Sequence, residues 1–334
     1  MKKFTALAVA AALSMVGASA AQAQEYPFRD ITNAVVWGAG GGTDTINRMV
    51  MAEMEKFLPV GISVINQTGG VAGSNGMIYV LNQPDDGYTL AGISESNVTA
   101  AVQGGWDKRM NVWFPFIVGG SPLMISVPAG SQYNSLEELV AAAKAAPETI
   151  PAAASGSGSI HHLNLLALEN GTDAKFRFVP YQGSAPAMEA AVNGEVQLVI
   201  GSLAEQFPLI DGGKLKPLAM LSGQEASIGG KTIPDALSEF PSLKQYLPLS
   251  QSIGFAVANS ASDDVKNVLS EAFTQAMASD TVSKWANDNH YVISGQMGDA
   301  ASQTFAKLES VFAWTLWDLG AATVDPETLG IPKP

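Results

Sequence analysis

The chain has 334 residues, 47% of them apolar and 15% charged, with a formal net charge of −13 and no cysteine. That length is enough for one or two full cores. The acidic balance excludes nucleic-acid or anionic-membrane binding by bulk electrostatics, and the missing cysteine excludes disulfides, thiol chemistry and a lipid-bearing cysteine.

The N-terminus reads as an export signal. Lys2 and Lys3 form a basic start, and Phe4 to Val16 is an apolar stretch too short to span a bilayer. Ala21-Gln22-Ala23 fits a cleavage site, with Ala18-Ser19-Ala20 as an alternative. The mature chain is expected to begin near Gln24; losing two lysines takes the charge from −13 to about −15. An exported protein of this size without disulfides fits a bacterial periplasm. No later stretch approaches 18 apolar residues, so no membrane insertion is expected.

Ile31 to Trp37 reads as a strand that ends in glycines, and Thr43 to Phe57 as a helix with Ile46, Met49, Val50, Met54 and Phe57 on one face. Ile62 to Asn66 is a strand, Ser74 to Asn82 a helix closed by the turn Pro84-Asp85-Asp86-Gly87, and Tyr88 to Ile93 a strand. This β-α-β-α-β order implies a parallel sheet with right-handed crossovers. Strand-like runs follow over Ile117 to Val127, and Ser135-Leu136-Glu137-Glu138 opens a helix through Ala146 as a capping box. Pro151 to Ala154 leads into "SGSGSIHH" and a helix from about Ile160 to Asn170. Arg177 to Pro180 is a strand, "YQGSAPA" opens a helix ending near Asn193-Gly194, and Val196 to Ile200 and Leu215 to Met220 are strands. The tail holds a strand over Ile253 to Val257 and helices over Asp263 to Ser279, Thr281 to Asp288 and Ala300 to Leu319. In the last helix Phe305, Leu308, Phe312 and Leu316 have core spacing, and Trp314 and Trp317 are expected to pack with them. The pattern predicts an α/β protein of two lobes, residues 24–125 with 251–334 and residues 126–250, with the tail returning to the first lobe.

"VVWGAGGGTDTINR", residues 35–48, concentrates glycine at a strand-to-helix turn. It fits neither the dinucleotide fingerprint nor the P-loop, so no cofactor is expected. A helix N-terminus carries unpaired N–H groups and about half a positive charge. Without Cβ atoms at Gly40, Gly41 and Gly42, an anion could touch those donors directly. The alternative is a plain turn with Thr43 or Asp44 as N-cap. "SGSGSIHH", residues 155–162, is a second small, donor-rich turn opening a helix in the other lobe. Ser155, Ser157 and Ser159 add hydroxyls there, and Ser159 is equally suited to cap the helix. Two such turns facing each other across a cleft would hold a ligand with two anionic ends. Adjacent His161 and His162 point about 100° apart on a helix and cannot chelate one ion, and His290 stands alone, so no metal is expected. No serine lies in G-x-S-x-G, which argues against a hydrolase. Trp37 could wall the site, whereas Arg48 fits a packing or pairing role.

These motifs resemble the extracytoplasmic receptors of tripartite tricarboxylate transporters, the Bug-type or TctC-type family. The resemblance rests on "GGGTD" with Arg48 four residues on; "NQTGGVAGSNG", like N-x-x-G-x-x-G-x-x-G; "PDDGYTL"; and "FVPYQGSAPAMEAAVNGEV". Together, and in that order, these are specific. The resemblance implies a two-lobed type II periplasmic binding protein fold with a ligand cleft between the lobes. It also implies that the two turns bind carboxylates, largely through backbone amides. Carried over, the ligand-binding positions are Ala39, Gly40, Gly41, Gly42, Thr43 and Asp44, with Trp37 as a wall; Ser94 and Ser96 after the third strand; Ser157, Gly158, Ser159 and His162; Tyr181, Gln182 and Gly183; and Ser202. Ala39 stands where many members have proline, and Gln197 where many have aspartate. Glu95 is unusual for an anion binder, and pointing inward it would favour a ligand with an amine or hydroxyl.

The sequence therefore leads to a monomeric periplasmic solute-binding protein, not an enzyme, which captures a small organic carboxylate and docks on an integral-membrane permease. The alternatives are an exported hydrolase acting on a small acidic substrate and a ligand sensor presenting to a membrane kinase.

Overall fold

Three runs of the N-terminal segment pair in parallel: β1 (Ile31–Val35), β2 (Ile62–Asn66) and β3 (Thr89–Ser94), joined through α1 (Gly42–Met54) and α2 (Ser74–Leu81). The computed structural model describes residues 25–334, so the expected export segment and its cleavage sites lie outside the described residues. β1 is buried along nearly its whole length, as a strand covered on both faces must be. Gly76 shows why "NQTGGVAGSNG" is so poor in side chains. A Cβ there would lie 2.3 Å from the Gln67 carbonyl oxygen and 2.7 Å from Val36, so α2 rests directly on the sheet.

β4 (Trp113–Gly120) remains beside these strands, whereas β5 (Leu123–Pro128) begins a second sheet. That sheet is built with α3 (Leu136–Ala145), β6 (Pro151–Ala154), α4 (Ile160–Thr172), β7 (Arg177–Pro180), α5 (Ser184–Val192), β8 (Leu198–Ser202), α6 (Leu203–Asp211) and β9 (Leu215–Met220). A small hairpin, β10 (Ala226–Ile228) with β11 (Lys231–Ile233), and the short α7 (Ala236–Glu239) precede the return of the chain. β12 (Ile253–Ala258), α8 (Asp263–Met277), α9 (Asp280–Asp288), β13 (Val292–Met297) and α10 (Gly298–Asp318) complete it.

The strand orders are β13-β4-β12-β3-β1-β2 and β7-β6-β8-β5-β9. The expected two-lobed α/β architecture is what the chain adopts, and the tail does return: β12 inserts between β3 and β4. The first sheet is mixed, because β12, β4 and β13 pair antiparallel. Phe116 and Phe255 stack at 4.5 Å on that sheet, and Phe273 of α8 meets Phe116 edge-on at 5.3 Å. Ile46, Val50, Met51 and Met54 of α1 join the same core. In α10, Phe305, Phe312, Leu316 and Trp314 are buried, but Trp317 is 40% exposed, contrary to its spacing.

The chain passes between the sheets at residues 121–122 and again over residues 221–252. The two passages touch: Ser121 N–H donates to Gln251 Oε1 at 2.9 Å. No helix among the described residues is long and apolar enough to cross a membrane.

Candidate functional site

The turn after β1 ends at Gly41, the N-cap residue of α1, which has no side chain to cap the helix. Asp44, a candidate cap, faces the other way. Its carboxylate accepts from Gly40 N–H at 2.9 Å, from Arg48 Nε at 3.0 Å and from Asn66 Nδ2 at 2.8 Å. Burial would raise this carboxyl, but those donors outweigh it and hold it below the usual range. Asp44 therefore braces the glycine turn from behind, and Arg48 pairs with it as a structural partner. The first amide of α1, Gly42 N–H, is left to face the second sheet.

The turn after β6 is built differently. Ser159 caps α4 by accepting from His162 N–H at 3.2 Å. Thr99 Oγ1 donates to the Gly158 carbonyl at 2.8 Å, and Ile160 N–H donates to Ser96 Oγ at 3.0 Å. The Glu95–Thr99 turn that follows β3 is thus docked on the N-terminus of α4. Here φ is +75° at Gly158, and a Cβ would lie 2.7 Å from Thr99 Oγ1, so glycine is required twice over.

Between the two turns lies a cavity of about 20 Å³, room for about one water. Of the expected ligand-binding positions Trp37, Gly41, Gly42, Thr43, Ser94, Ser96 and Gly183 line it, together with Gly38, Ser155, Ile160, Ser184, Gln251 and Ile253. Trp37 stands as a wall, its Nε1 donating to Ser94 Oγ at 3.2 Å. Ala39, Gly40, Asp44, Ser157, Gly158, Ser159, His162, Tyr181, Gln182 and Ser202 do not line it. Ala39, Gly40 and Gln182 are exposed. Ser202 caps α6, and His162 is stacked on Phe178 at 4.1 Å with its Nδ1 accepting from Gly158 N–H. Burial pulls the His162 imidazole down to about 4, so it is neutral at pH 7.

The ionisable side chains lining the cavity are those of Glu205, Glu95 and His161. Glu205 lies in the first turn of α6, where Ser202 and Glu205 form a capping box. Its Oε2 accepts from Ser202 N–H at 3.0 Å and from Ser202 Oγ at 2.7 Å. Its Oε1 accepts from Ser184 Oγ and, across the cleft, from Gly42 N–H at 2.7 Å. Burial opposes the charge, but the neighbouring His161 and the Ser184 and Ser202 donors hold the carboxyl below its usual range.

Glu95 is 1% exposed. Its oxygens accept from Ser96 Oγ and from Ser252 N–H, both at 2.8 Å. Burial pushes this carboxyl up to about 7. His161, not the expected His162, faces the cavity. Its Nδ1 lies 2.8 Å from Ser155 Oγ, and its Nε2 is buried 3.8 Å from Glu205 Oε2 without a hydrogen-bond partner among the described residues. Burial keeps the ring neutral. Among the described residues no group of three or more His, Asp or Glu side chains is placed to hold a metal ion.

A family model described as the tripartite tricarboxylate transporter family receptor matches residues 46–308. The UPF0065 protein in the gbd 5′ region of Cupriavidus necator is 27% identical over 316 residues, covering 91% of this chain and 94% of that protein. A TctC solute-binding protein from Polaromonas superposes with a TM-score of 0.61 at 27% identity, covering 88% of this chain and 99% of that one. MatC of Rhodopseudomonas palustris, solved with bound malate, superposes with a TM-score of 0.78 at 21% identity, covering 87% of this chain and all of that one (100%).

Proposed function

The chain belongs to the tripartite tricarboxylate transporter receptor family, and from that premise we propose that it is an exported solute-binding protein. It captures a small carboxylate-bearing solute between its two lobes and delivers it to the membrane permease of a tripartite transporter. The lobes follow the two sheets; because β5 (Leu123–Pro128) belongs to the second, the first crossing falls at residues 121–122, ahead of the expected boundary at residue 125. One observation carries the reading. The N-termini of α1 and α4, from different sheets, converge on one cavity, and a carboxylate, that of Glu205, is the group hydrogen-bonded to the first amide of α1. Hinge opening, part of the known repertoire of such proteins, would carry Glu205 away with the second sheet and leave Gly42 N–H to a solute carboxylate. The malate held by MatC is a solute of this class.

The test is a thermal-shift panel on mature protein, setting small carboxylates against their neutral amides. A ligand at a hundred times its Kd adds about 2.7 kcal/mol of stability. A shift with an acid and none with its amide is the expected result; equal shifts would remove the carboxylate from the reading. A second reading, a hydrolase, draws on the order Ser155, His161, Glu205 along one line of the cavity wall. The burial of Ser155 and the commitment of Glu205 to four donors weigh against it.

A further inference from the structure

The four donors to Glu205 are divided unequally between the lobes. Ser184 Oγ, Ser202 N–H and Ser202 Oγ belong to elements of the second sheet and travel with it. The fourth, Gly42 N–H at 2.7 Å, is the first amide of α1 in the other lobe. Opening would therefore take one donor in four from Glu205 and leave its carboxylate satisfied by its own lobe. From Gly42 it would take the acceptor of a helix-start amide, which has no partner within the helix. Gly42 is buried here, and a Cβ on it would lie 3.1 Å from Glu205 Oε1 and 3.4 Å from Ile253.

The space beside this bond makes it exclusive. The cavity of about 20 Å³ has room for about one water, so no organic acid fits between the lobes while Glu205 stands on Gly42. The Glu95–Thr99 turn also bonds across to α4, through Thr99 Oγ1 on the Gly158 carbonyl and Ile160 N–H on Ser96 Oγ, but those groups are neutral. The bond from Gly42 to Glu205 puts a carboxylate on a helix N-terminus, the stronger kind.

We propose that Glu205 is a ligand the protein supplies to itself. It holds the empty receptor closed by occupying the position of the solute carboxylate, and it must be displaced before a solute is captured; this rests on the carboxylate reading above. Solute then binds only the opened fraction, and the apparent Kd is raised in proportion to the closed, empty fraction. Glu205 is thus the residue that sets the affinity threshold of the receptor.

The experiment combines small-angle X-ray scattering of solute-free mature protein with calorimetric titration by malate, succinate and butyrate. It compares wild type with Glu205→Asp and Glu205→Gln, each checked for folding by circular dichroism. Glu205→Asp keeps the charge and withdraws it from Gly42 by one methylene; Glu205→Gln keeps the length and removes the charge. Empty wild type is expected to be compact, with a radius of gyration unchanged by acid. Both empty variants are expected to be larger, and each to bind at least one of the acids threefold or more tightly than wild type. Tighter binding by Glu205→Asp would separate displacement from relief of charge repulsion, because its charge remains. A wild-type radius that shrinks on adding acid would overturn the proposal, as would folded variants as compact as empty wild type or acid affinities equal to or weaker than those of wild type. Open empty variants, with no acid bound by any of the three proteins, would support Glu205 as the latch and count against the carboxylate reading.

Discussion

Gly38 and Gln182 touch across the cleft: a Cβ on Gly38 would sit 2.6 Å from the Gln182 carbonyl oxygen. Neither residue is held there by its side chain. The contact is backbone against backbone, at the closing edge of two lobes, and it leaves no room for a methyl group. Gly41 is next to it, where a Cβ would lie 2.9 Å from Ser184 Oγ.

Gly38→Ala should therefore leave each lobe folded and prevent full closure. The expected outcome is a far-ultraviolet circular dichroism spectrum like that of wild type, a larger radius of gyration by small-angle X-ray scattering, and solute affinity reduced tenfold or more. Gly41→Val should abolish binding by the same route. Wild-type affinity in both variants would show that closure does not need this approach.

Glu95 makes stability depend on pH with a definite sign. Its folded value of about 7 lies above the ordinary 4.5, so the folded state holds a proton that the unfolded chain releases first. The contribution is complete below about 4.5 and is lost as pH rises through about 7. Glu95→Gln removes that titration. Its stability relative to wild type should rise between pH 5 and pH 8, by on the order of 3 kcal/mol. Glu205, His161 and His162 titrate in both proteins, so the difference between the two melting curves isolates Glu95. A difference that stays flat across this range would contradict the assignment.

Ser159→Ala should act on stability more than on affinity. The hydroxyl is fully buried and committed to His162 N–H as the cap of α4. Its loss should cost ~1 kcal/mol and lower the melting temperature by about 3 °C, with the dissociation constant of the solute changed less than threefold. A large loss of affinity at constant stability would return Ser159 to the ligand.

Ser155 should be unreactive. Its Oγ is 2.8 Å from His161 Nδ1, but the Nε2 edge of that ring is 3.8 Å from Glu205 and the serine is only 7% exposed. Incubation with a fluorophosphonate should give no adduct by intact mass, and ester turnover should match that of Ser155→Ala. Labelling at Ser155 would favour the hydrolase.

Most of the fold was legible because apolar period and turn chemistry agree along the chain. β2, β6, β7 and β9 fall where their runs end in glycine, proline or polar turns, and α1 follows its apolar face. The site was only half legible. The glycine turn announces itself by composition, and the loop after β3 entered only through the family resemblance, but Glu205 lies on α6, a short helix interrupted by Pro208, whose apolar residues show no clean period. Its signal was the capping pattern Ser202-Leu203-Ala204-Glu205, readable as a helix start. Nothing in "HH" tells which histidine faces the cleft. That depends on where β7 lies, because Phe178 takes one ring and leaves the other to the cavity. β13 escaped because it is an edge strand with a register shift between Ile293 and Gln296, and half-exposed edges carry weak alternation.

The two passages between the sheets, at residues 121–122 and over residues 221–252, run in contact through Ser121 and Gln251. A rigid body tethered to another along one short line keeps a single easy degree of freedom, rotation about that line. Sliding and twisting would stretch one tether against the other. Opening about that line would part the contacts at the mouth, Gly38 on Gln182 and Gly42 on Glu205, together.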